Sequence, residues 1–413
     1  MAKHSPFFYG WLIFLLLLIG GGLGAWIIQL QNGLIVTGMR NVVSWGIYIT
    51  LFAFFVGISA GGLIVSSSAH VFGVEEFKPI AKVATTLAAA CVAVAALSII
   101  PDLGRPERIA YLILYGNPLS PLIWDFTVIV VYLVLCIVDL WFMMRAELAR
   151  KGSRLTFGFN DVSPKAVAKD ERIVKVISFI ALPTAVMLHT VTAWIFGTQI
   201  SRSWWYSALI APIFLASAMI SGLSLVILTV LIMQWRSRIR VEVKTINTLG
   251  KLLAVIIPID LFLIGNEFVI RLWSAAPSET LPLTLIFTGP FLPFFVYEWI
   301  PGAILPFILL LHPRLRMNPK ILGLAALLVL TGVLSYRVEL VVPGYIYPPI
   351  LLPPGIAKGE YSVGLSSFDV YGVYFPTWIE LTIGAALFGI IALITTIAYW
   401  IFPIWRTEKN INQ

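Results

Sequence analysis

Ten long apolar segments recur along this chain and limit its fold more than any other feature of the sequence. Each has about 20 or more mostly apolar residues, enough for an α-helix to cross a hydrocarbon layer roughly 30 Å thick. Most of them have no polar face, which the helices of a large water-soluble bundle would need. The segments lie near residues 8–28, 44–69, 80–101, 121–144, 175–199, 206–233, 247–272, 283–311, 320–341 and 376–403.

The composition agrees with a chain that crosses a membrane many times. Of its 413 residues, 59% are hydrophobic and only 12% are charged, whereas about a quarter of a soluble domain is charged. We therefore predict a single all-α integral membrane domain over residues 1–413, with about ten transmembrane helices. The first segment is long enough to be a retained span rather than a cleaved signal peptide.

Lys and Arg are concentrated in alternate loops of this predicted topology. By the positive-inside rule, these loops and both termini face the cytoplasm of a prokaryotic cell membrane, beside anionic lipid. We call the opposite, poorly basic end of the helices the outer end. The same bias accounts for the net charge of +8, so nucleic acid is not expected as a partner. The basic loops contain Arg145, Arg150, Lys151, Arg154, Lys165, Lys169, Arg172, Lys175, Arg236, Arg238, Arg240, Lys244, Lys251, Arg314, Arg316 and Lys320.

The cysteines and histidines argue against metal cofactors held by this chain. Cys91 and Cys136 both fall inside predicted spans, and no CxxC motif is present for a metal or an iron–sulfur cluster. His189 lies in the middle of a span, whereas His70 and His312 lie at cytoplasmic ends, so they do not form the matched axial pairs of a membrane cytochrome b. We expect no metal site, no haem and no iron–sulfur cluster in the chain.

Similar residues at equal spacing indicate an internal repeat. Phe54 and Gly62-Leu63 in the second segment match Phe214 and Gly222-Leu223 in the sixth. The sequence Trp124-Asp125-Phe126 in the fourth segment likewise parallels Tyr297-Glu298-Trp299 in the eighth. The match predicts two four-helix bundles, helices 2–5 over 44–199 and helices 6–9 over 206–341, with helices 1 and 10 flanking them. Chance similarity among small and apolar residues is the alternative.

Four stretches, in this order and spacing, resemble a known family. They are WGIYITLFAFFVGISAGGLI at 45–64, DLGRPER at 102–108, SPLIWDF at 120–126 and ALPTAVMLHTVTAWIFG at 181–197. Together they resemble the NrfD or polysulfide-reductase membrane-subunit family, over roughly the first 230 residues. The resemblance implies a cofactor-free membrane subunit of a respiratory oxidoreductase complex.

Members of that family bind a quinone near the outer face and dock an iron–sulfur protein with ferredoxin-type clusters. The resemblance thus implies electron exchange between menaquinone or another quinone and a ferredoxin-like iron–sulfur subunit, with further catalytic or cytochrome subunits in the complex. Relatives often place a histidine beside the quinone within the first helices, but the outer ends of helices 1 to 4 have none here. The amides of Gln29, Gln31 and Asn32 are candidate substitutes.

Asp125 is the candidate catalytic residue of the predicted quinone site. It lies just inside the outer interface, where a carboxylate can accept a proton from a quinol and pass it to water. Trp124 and Tyr111 are expected to form an aromatic wall, and the quinone-binding set is completed by Gln31, Trp45 and Arg105. The alternative is structural: Asp125 caps its helix, Trp124 belongs to an interfacial aromatic belt and the Gly-Arg-Pro sequence at Arg105 is a simple turn.

The stretch IDLFLIGNEFVIRL, 259–272, carries charges inside an apolar segment. Asp260, Glu267 and Arg271 share one helix face over about 16 Å. Glu267 and Arg271 are one turn apart and can pair, so Asp260 is expected to be neutral, or to pair through water with a residue of another helix such as His189 or Glu298. With His189 and Glu298 these residues are a candidate proton path. The alternative is a buried polar cluster that only fixes helix packing.

The outer segment 342–375 is rich in proline and tyrosine and is predicted to be the docking surface for the iron–sulfur partner, with a lid over the helix ends as the alternative.

A proton-coupled secondary transporter is a second function that fits intramembrane charges and proline-broken helices. Co-purification separates the two, since a transporter is found alone and a quinone-reactive subunit is isolated with an iron–sulfur protein. A purely structural anchor would have no quinone pocket.

Overall fold

The computed structural model describes residues 6–236, 241–274, 276–346, 362–363 and 370–402. Within this part of the chain, ten helices are long and apolar enough to cross a membrane. The predicted class of an all-α integral membrane protein is thus confirmed. The helices are α1 (Pro6–Asn32), α2 (Ile47–His70), α3 (Lys78–Asp102), α4 (Ala110–Leu114), α5 (Pro121–Arg150), α6 (Pro164–Gly197), α7 (Ile210–Trp235), α8 (Val243–Ser274), α9 (Pro277–Phe287), α10 (Leu292–Trp299), α11 (Leu305–Leu311), α12 (Pro313–Arg316), α13 (Pro319–Val341), α14 (Pro343–Ile346) and α15 (Trp378–Ile401). Two short strands, β1 (Ser362–Val363) and β2 (Val370–Tyr371), pair antiparallel.

The predicted inner loop 145–175 is shorter in the structure because both neighbouring helices extend into it. Helix α5 continues to Arg150, and α6 begins at Pro164. The start of α6 is fixed by Ser163, whose hydroxyl accepts a hydrogen bond from the Ala166 backbone N–H at 3.3 Å. Proline suits the first helical position, where no intrahelical N–H bond is needed.

The eighth predicted span, 283–311, is not one continuous helix. Helix α9 ends before the chain turns, and the membrane-length helix covers only Leu292–Leu311. Inside it, α10 passes into α11 through a π-helical turn at Ile300–Ile304 that contains Pro301. Proline removes a backbone donor and crowds the preceding turn, which accounts for the widened turn at this place.

The long helices form two groups of four. Helices α2, α3, α5 and α6 contact one another in a closed ring, which we call the first group. Helices α7, α8 and α13 form a second ring with the broken span α10–α11, which we call the second group. Helix α1 packs along α15, and α15 contacts α3 and α2, so both flanking helices lie against the first group.

The two groups meet where α2 crosses α7, and this crossing brings backbone against backbone. A Cβ atom built on Gly61 would lie 1.9 Å from the carbonyl carbon of Gly222, and one built on Gly222 would lie 2.2 Å from the backbone nitrogen of Gly61. No side chain fits at either position. Small residues let membrane helices approach closely, where dispersion rather than the hydrophobic effect holds them together.

A second sequence match accompanies this arrangement. The stretch TAVMLHTVTAWIFG at 184–197 aligns without gaps with TGVLSYRVELVVPG at 331–344. In this alignment Thr192 of α6 corresponds to Glu339 of α13. Helix α6 packs on α5 in the first group, as α13 packs on α10 in the second.

The predicted docking segment 342–375 falls mostly outside the described residues, which include only its two ends and the short strands. At those ends the tyrosines are not available to a partner. Tyr345 is buried against the Trp205 ring, with 4.7 Å between ring centroids, and Tyr374 is buried against Glu380. These two rings are therefore not exposed at the surface of the chain, and the docking role of segment 342–375 stays a prediction.

We expect Gly61→Ala to destabilise the protein, because the added methyl group meets the Gly222 backbone, which cannot move aside as a side chain would. Overpacking of this kind costs about 1–3 kcal/mol, which thermal unfolding of the purified protein in detergent will measure. Gly20→Ala is the matched control, since a Cβ at Gly20 meets nothing within 4 Å. Equal melting temperatures for the two variants would contradict the close crossing.

Candidate functional site

Five ionisable side chains lie close together where the second group meets the first. They are His189 on α6, Asp260 on α8, Glu298 on α10, and Arg337 and Glu339 on α13, and all are buried. We call them the central cluster. Arg337 is near enough to interact electrostatically with His189, Asp260 and Glu298, and Glu298 lies beside Glu339.

Arg337 lies at the boundary between the two groups. Its side chain is 0% exposed, and its Nη2 donates a hydrogen bond to the Ser217 hydroxyl on α7 at 2.6 Å. A Cβ built on Gly57 of α2 would lie 3.6 Å from the same nitrogen. The guanidinium carbon lies 4.0 Å from the centroid of the Phe214 ring. Its Nε and Nη1 have no hydrogen-bond partner among the described residues, so donors remain for the cluster.

Charge balance sets what the central cluster can do. A guanidinium stays protonated in proteins, and a buried charge is costly unless an opposite charge compensates it. Three ionised carboxylates around one guanidinium would leave net negative charge in a low-dielectric interior. The arrangement of lowest electrostatic cost has one carboxylate opposite Arg337 and protons on the other two. The arrangement therefore buries one ion pair beside two neutral carboxyl groups.

A second charged group lies between the central cluster and the outer end. Arg271 forms ion pairs with Glu267, as the spacing predicts, and with Glu279. Its guanidinium also donates to the Ser203 carbonyl at 2.9 Å. Glu267 and Arg271 also line a small cavity of about 30 Å³. Its lining includes Tyr336, which directly precedes Arg337 in the chain, so the cavity extends from the Glu267–Arg271 pair toward the central cluster. That volume holds about one water molecule.

Arg337 and Glu339 were not among the residues predicted from the sequence. We expected Asp260 to pair with His189 or Glu298, whereas the positive charge nearest to Asp260 in the described residues is on Arg337. The sequence does contain a sign of both residues: they are charged positions inside the ninth apolar segment, 320–341. Asp260 is a charged position of the same kind inside the seventh segment. The same rule, that an ionisable residue within a span needs a partner inside the protein, applies to both segments.

Asp125 does not cap α5. The helix begins at Pro121 after Ser120, and the Asp125 carboxylate lies inside the first group at 3% exposure. Its Oδ1 lies 2.5 Å from the Thr192 hydroxyl of α6, which also lies 2.8 Å from the Leu188 carbonyl. A hydroxyl has one hydrogen. Thr192 donates this hydrogen to Asp125 or shares it with the Leu188 carbonyl, so the carboxyl group is bound to α6 inside the first group.

Three of the predicted quinone-site residues meet the last turns of α6. Asp125 contacts Thr192, Trp124 lies edge to face on Trp194 at 6.2 Å between ring centroids, and Trp45 lies edge to face on Phe196 at 5.8 Å. Trp45 also stacks on a tryptophan of the connection to α7. These contacts show how the outer ends of α5 and α6 are held together.

The other three predicted residues do not join this group. Gln31, Arg105 and Tyr111 are exposed, and in the described residues no hydrogen bond or ion pair joins Arg105 to Asp125. The buried amide of α1 is Gln29 instead. It accepts a hydrogen bond from the Tyr48 hydroxyl at 2.6 Å and donates one to the Pro101 carbonyl at 2.6 Å.

A large cavity lies elsewhere, between α2, α9, α10, α13 and α15 in the outer half of the helices. Its volume is about 1060 Å³, which is the size of a pocket for a large organic ligand. The wall is almost entirely apolar, with Leu51, Phe291, Val338 and Phe388 among its lining residues. Sequence patterns did not predict it, because it forms between helices distant in the chain.

One end of this apolar cavity carries a polar group formed by Tyr374 and Glu380. Tyr374 is one of the lining residues, and its hydroxyl donates to the Glu380 carboxylate at 2.8 Å and accepts from the Ile47 backbone N–H at 2.7 Å. Burial, followed by the nearby Glu380 charge, raises the pKa of Tyr374 above its usual range. Glu380 also accepts from the Gly38 and Thr377 backbone N–H groups, which hold it in place.

The described residues contain no group of three or more His, Cys, Asp or Glu side chains placed to hold a metal ion. Cys91 and Cys136 are buried and free.

Comparisons with known proteins agree with one another. The sequence model of the family described as "Polysulphide reductase, NrfD" matches residues 35–349. A putative dimethyl sulfoxide reductase membrane subunit of Halobacterium salinarum is 36% identical over 97% of this chain and 92% of its own length. A selenate reductase subunit of Mesobacillus selenatarsenatis is 29% identical over 94% of this chain and 92% of its own. The Hdr-like menaquinol oxidoreductase integral membrane subunit of Archaeoglobus fulgidus is 26% identical over 93% and 90%.

We expect Arg337→Met to destabilise the protein by about 3–5 kcal/mol, because the central cluster then holds a buried carboxylate without its countercharge. Adding Asp260→Asn to this variant should restore part of the loss if Asp260 is that carboxylate. Thermal unfolding of the wild type, both single variants and the double variant measures the coupling. Strictly additive losses would show that Arg337 and Asp260 do not compensate each other.

Proposed function

The chain belongs to the polysulphide reductase NrfD family, and from that membership we propose that it is the quinone-reactive membrane subunit of a respiratory oxidoreductase complex. It exchanges electrons between menaquinone or a related quinone and an iron–sulfur subunit, with no redox cofactor of its own. The observation that carries the proposal is the large apolar cavity in the outer half of the helices, with the Tyr374–Glu380 pair at one end.

The shape and chemistry of the cavity suit a membrane quinone. A quinone has an apolar isoprenoid tail and a small head with two oxygens, so it needs a long apolar wall and a few polar groups. The cavity has both, and one relative is an integral membrane subunit of a menaquinol oxidoreductase by name. Two other relatives are subunits of dimethyl sulfoxide and selenate reductases by name, which supports a partner that carries the electrons onward.

The Tyr374–Glu380 pair is the proposed proton acceptor for a quinol bound in the cavity. The Tyr374 oxygen donates its hydrogen to Glu380 and accepts one bond from Ile47, which leaves one lone pair for a quinol hydroxyl. As the quinol is oxidised, its hydroxyl proton moves to the Tyr374 oxygen and the tyrosine proton moves to Glu380. The two electrons leave to the iron–sulfur partner, and the second hydroxyl proton is released to water.

The sequence-predicted site at Asp125 is the competing location for this chemistry. Its proposed members remain Gln31, Trp45, Arg105, Tyr111 and Trp124 around the Asp125 carboxylate. The buried Asp125 carboxyl group is hydrogen-bonded to Thr192 there, and the exposed positions of Gln31, Arg105 and Tyr111 weaken the case for a closed pocket.

We further propose that the protein lies in the prokaryotic cytoplasmic membrane with both termini in the cytoplasm. The basic loops support this orientation. The iron–sulfur subunit then docks at the outer end, close to the mouth of the cavity, and further catalytic or cytochrome subunits of the complex bind beyond it. Co-purification with an iron–sulfur protein, rather than isolation alone as expected for a transporter, is the first observation to make.

Proton translocation is the second part of the proposal. The central cluster of His189, Asp260, Glu298, Arg337 and Glu339 stores protons, and the Glu267–Arg271 pair with its small cavity gives them a route toward the outer end. Buried ionisable residues that face the interior of a helix bundle are the usual elements of such routes. The alternative, a cluster that only fixes helix packing, uses the same contacts.

We expect Ala385→Phe to lower quinol-dependent turnover of the intact complex at least about tenfold. This corresponds to a loss of roughly 1.4 kcal/mol in the binding free energy of the quinol. The phenyl group would fill the cavity that Ala385 lines. Ala392→Phe is the matched control, two turns along α15 and equally half-buried but outside the lining. Both variant complexes should contain the same subunits as the wild type.

Two outcomes of that experiment would change the assignment. Equal turnover in the Ala385→Phe and Ala392→Phe complexes would show that the cavity is not the quinone site. If Asp125→Asn then slowed turnover in a complex that still assembles, the site would lie at Asp125. If instead Asp125→Asn left turnover unchanged, that carboxyl group would be structural.

We expect Asp260→Asn to abolish charge movement across reconstituted vesicles while quinone turnover continues, because the quinone cavity does not contain Asp260. The measurement is the ratio of charge moved to electrons transferred, together with the melting temperature. If Asp260 only fixes packing, the change costs about 1–3 kcal/mol of stability and the ratio stays the same. Wild-type vesicles without any charge movement would rule out the proton route.

A further inference from the structure

An open groove lies at the basic, inner end of α5 and α6, far along the chain from the residues of the quinone proposal. Its volume is about 850 Å³. One wall is formed by the last turns of α5, with Trp141 and Phe142, and the other by the first turns of α6. The connection between the helices closes the end of the groove with Phe157 and Phe159.

The apolar part of this groove continues onto the outward surface of the helices. Val134 and Ile137 on α5 are exposed, as are Val176 and Phe179 on α6. On helices that cross a membrane, such residues face lipid tails. A ligand in the groove can therefore extend an apolar chain along α5 and α6 without leaving the hydrocarbon layer.

The polar end of the groove favours a negative charge. Among its lining residues three are basic and two are acidic. Arg145 is buried and held by Asp170, to which its Nε donates at 2.7 Å, so this pair is internal. The Asp161 carboxylate accepts from the Ser163 backbone and hydroxyl, and these bonds lower its pKa below the usual range.

The two remaining basic residues, Lys165 and Lys169, are exposed and lie one turn apart on α6. No carboxylate among the described residues forms an ion pair with either lysine. Their ammonium groups are free to bind one phosphate together. The first turn of α6 adds the partial positive charge of its backbone N–H groups.

We propose that this groove is a specific binding site for an anionic diacyl phospholipid. The phosphate binds Lys165 and Lys169, one acyl chain lies in the groove against Trp141 and Phe142, and the other lies along the exposed apolar faces of α5 and α6. The aromatic rings at the polar end lie at the depth of the glycerol backbone, where tryptophan and phenylalanine rings accommodate both a polar and an apolar neighbour.

Phe157 offers a way to separate lipid binding from folding. Its ring is 72% exposed, and its backbone is left-handed with φ at 51°, a conformation that costs energy for a bulky residue. Asparagine adopts this conformation more readily. Phe157→Asn should therefore leave thermal stability unchanged or higher, while removing a ring from the groove.

The test is native mass spectrometry of the full-length protein in detergent, titrated with palmitoyl-oleoyl phosphatidylglycerol, with phosphatidylcholine of the same chains, and with glycerol phosphate. We expect phosphatidylglycerol to bind at least tenfold more tightly than phosphatidylcholine, and glycerol phosphate not to compete. Lys165→Gln with Lys169→Gln should remove this preference, and Phe157→Asn should weaken binding. The matched control is Arg172→Gln with Lys175→Gln, which removes the same charge from exposed positions of α6 outside the groove.

Four results would overturn the proposal. If both double variants lost the preference for phosphatidylglycerol equally, lipid binding would depend on the overall charge of the protein and not on this groove. If neither lost it, the groove would not bind the lipid. Competition by glycerol phosphate at the same concentration as the lipid would indicate a site for a free phosphate ester. Retained affinity in a stable Phe157→Asn protein would show that the aromatic end takes no part.

Discussion

The hydrocarbon interior of a membrane cannot hydrate a charge, and the internal arrangement of this protein follows from that constraint. Two arginines inside the described spans have carboxyl groups as neighbours. Arg337 reaches carboxyl groups on two other helices, and Arg271 reaches Glu267 and Glu279. The contacts of Arg337 join helices from distant parts of the chain, so they help to hold those helices together.

The two helix groups use equivalent positions for different chemistry. In the first group Asp125 contacts Thr192, a pair that is neutral when the acid is protonated. In the second group the matching positions are Glu298 and Glu339, and the position that matches Thr190 is Arg337. The second group thus carries the charges that the first lacks. An ancestral repeat in which one half specialised in proton storage would give this pattern, with His189 as the first group's contribution to the boundary.

The fold was predictable to the extent that it depends on local patterns. Segment length and hydropathy locate the ten spans, and helix spacing places Glu267 beside Arg271. Contacts between distant segments were not predictable in the same way: the apolar cavity needs the packing of five helices, and the break at Ile300–Ile304 depends on how a proline is accommodated. Arg337 could have been predicted, since a lone charge in an apolar segment was already the criterion that selected Asp260.

The contact of Gly61 with Gly222 has a mechanical consequence. Transporters that work by alternating access rock one repeat against the other around a central site, and such rocking needs a boundary that can slide. Where α2 crosses α7 the two backbones are in contact, with no side chain between Gly61 and Gly222 to change rotamer and take up the movement. The two groups are therefore expected to move as one rigid body. Shape changes are then confined to side chains, bound water and the broken helix at Ile300–Ile304, which suits a membrane subunit of an oxidoreductase complex better than a carrier that rocks around a solute.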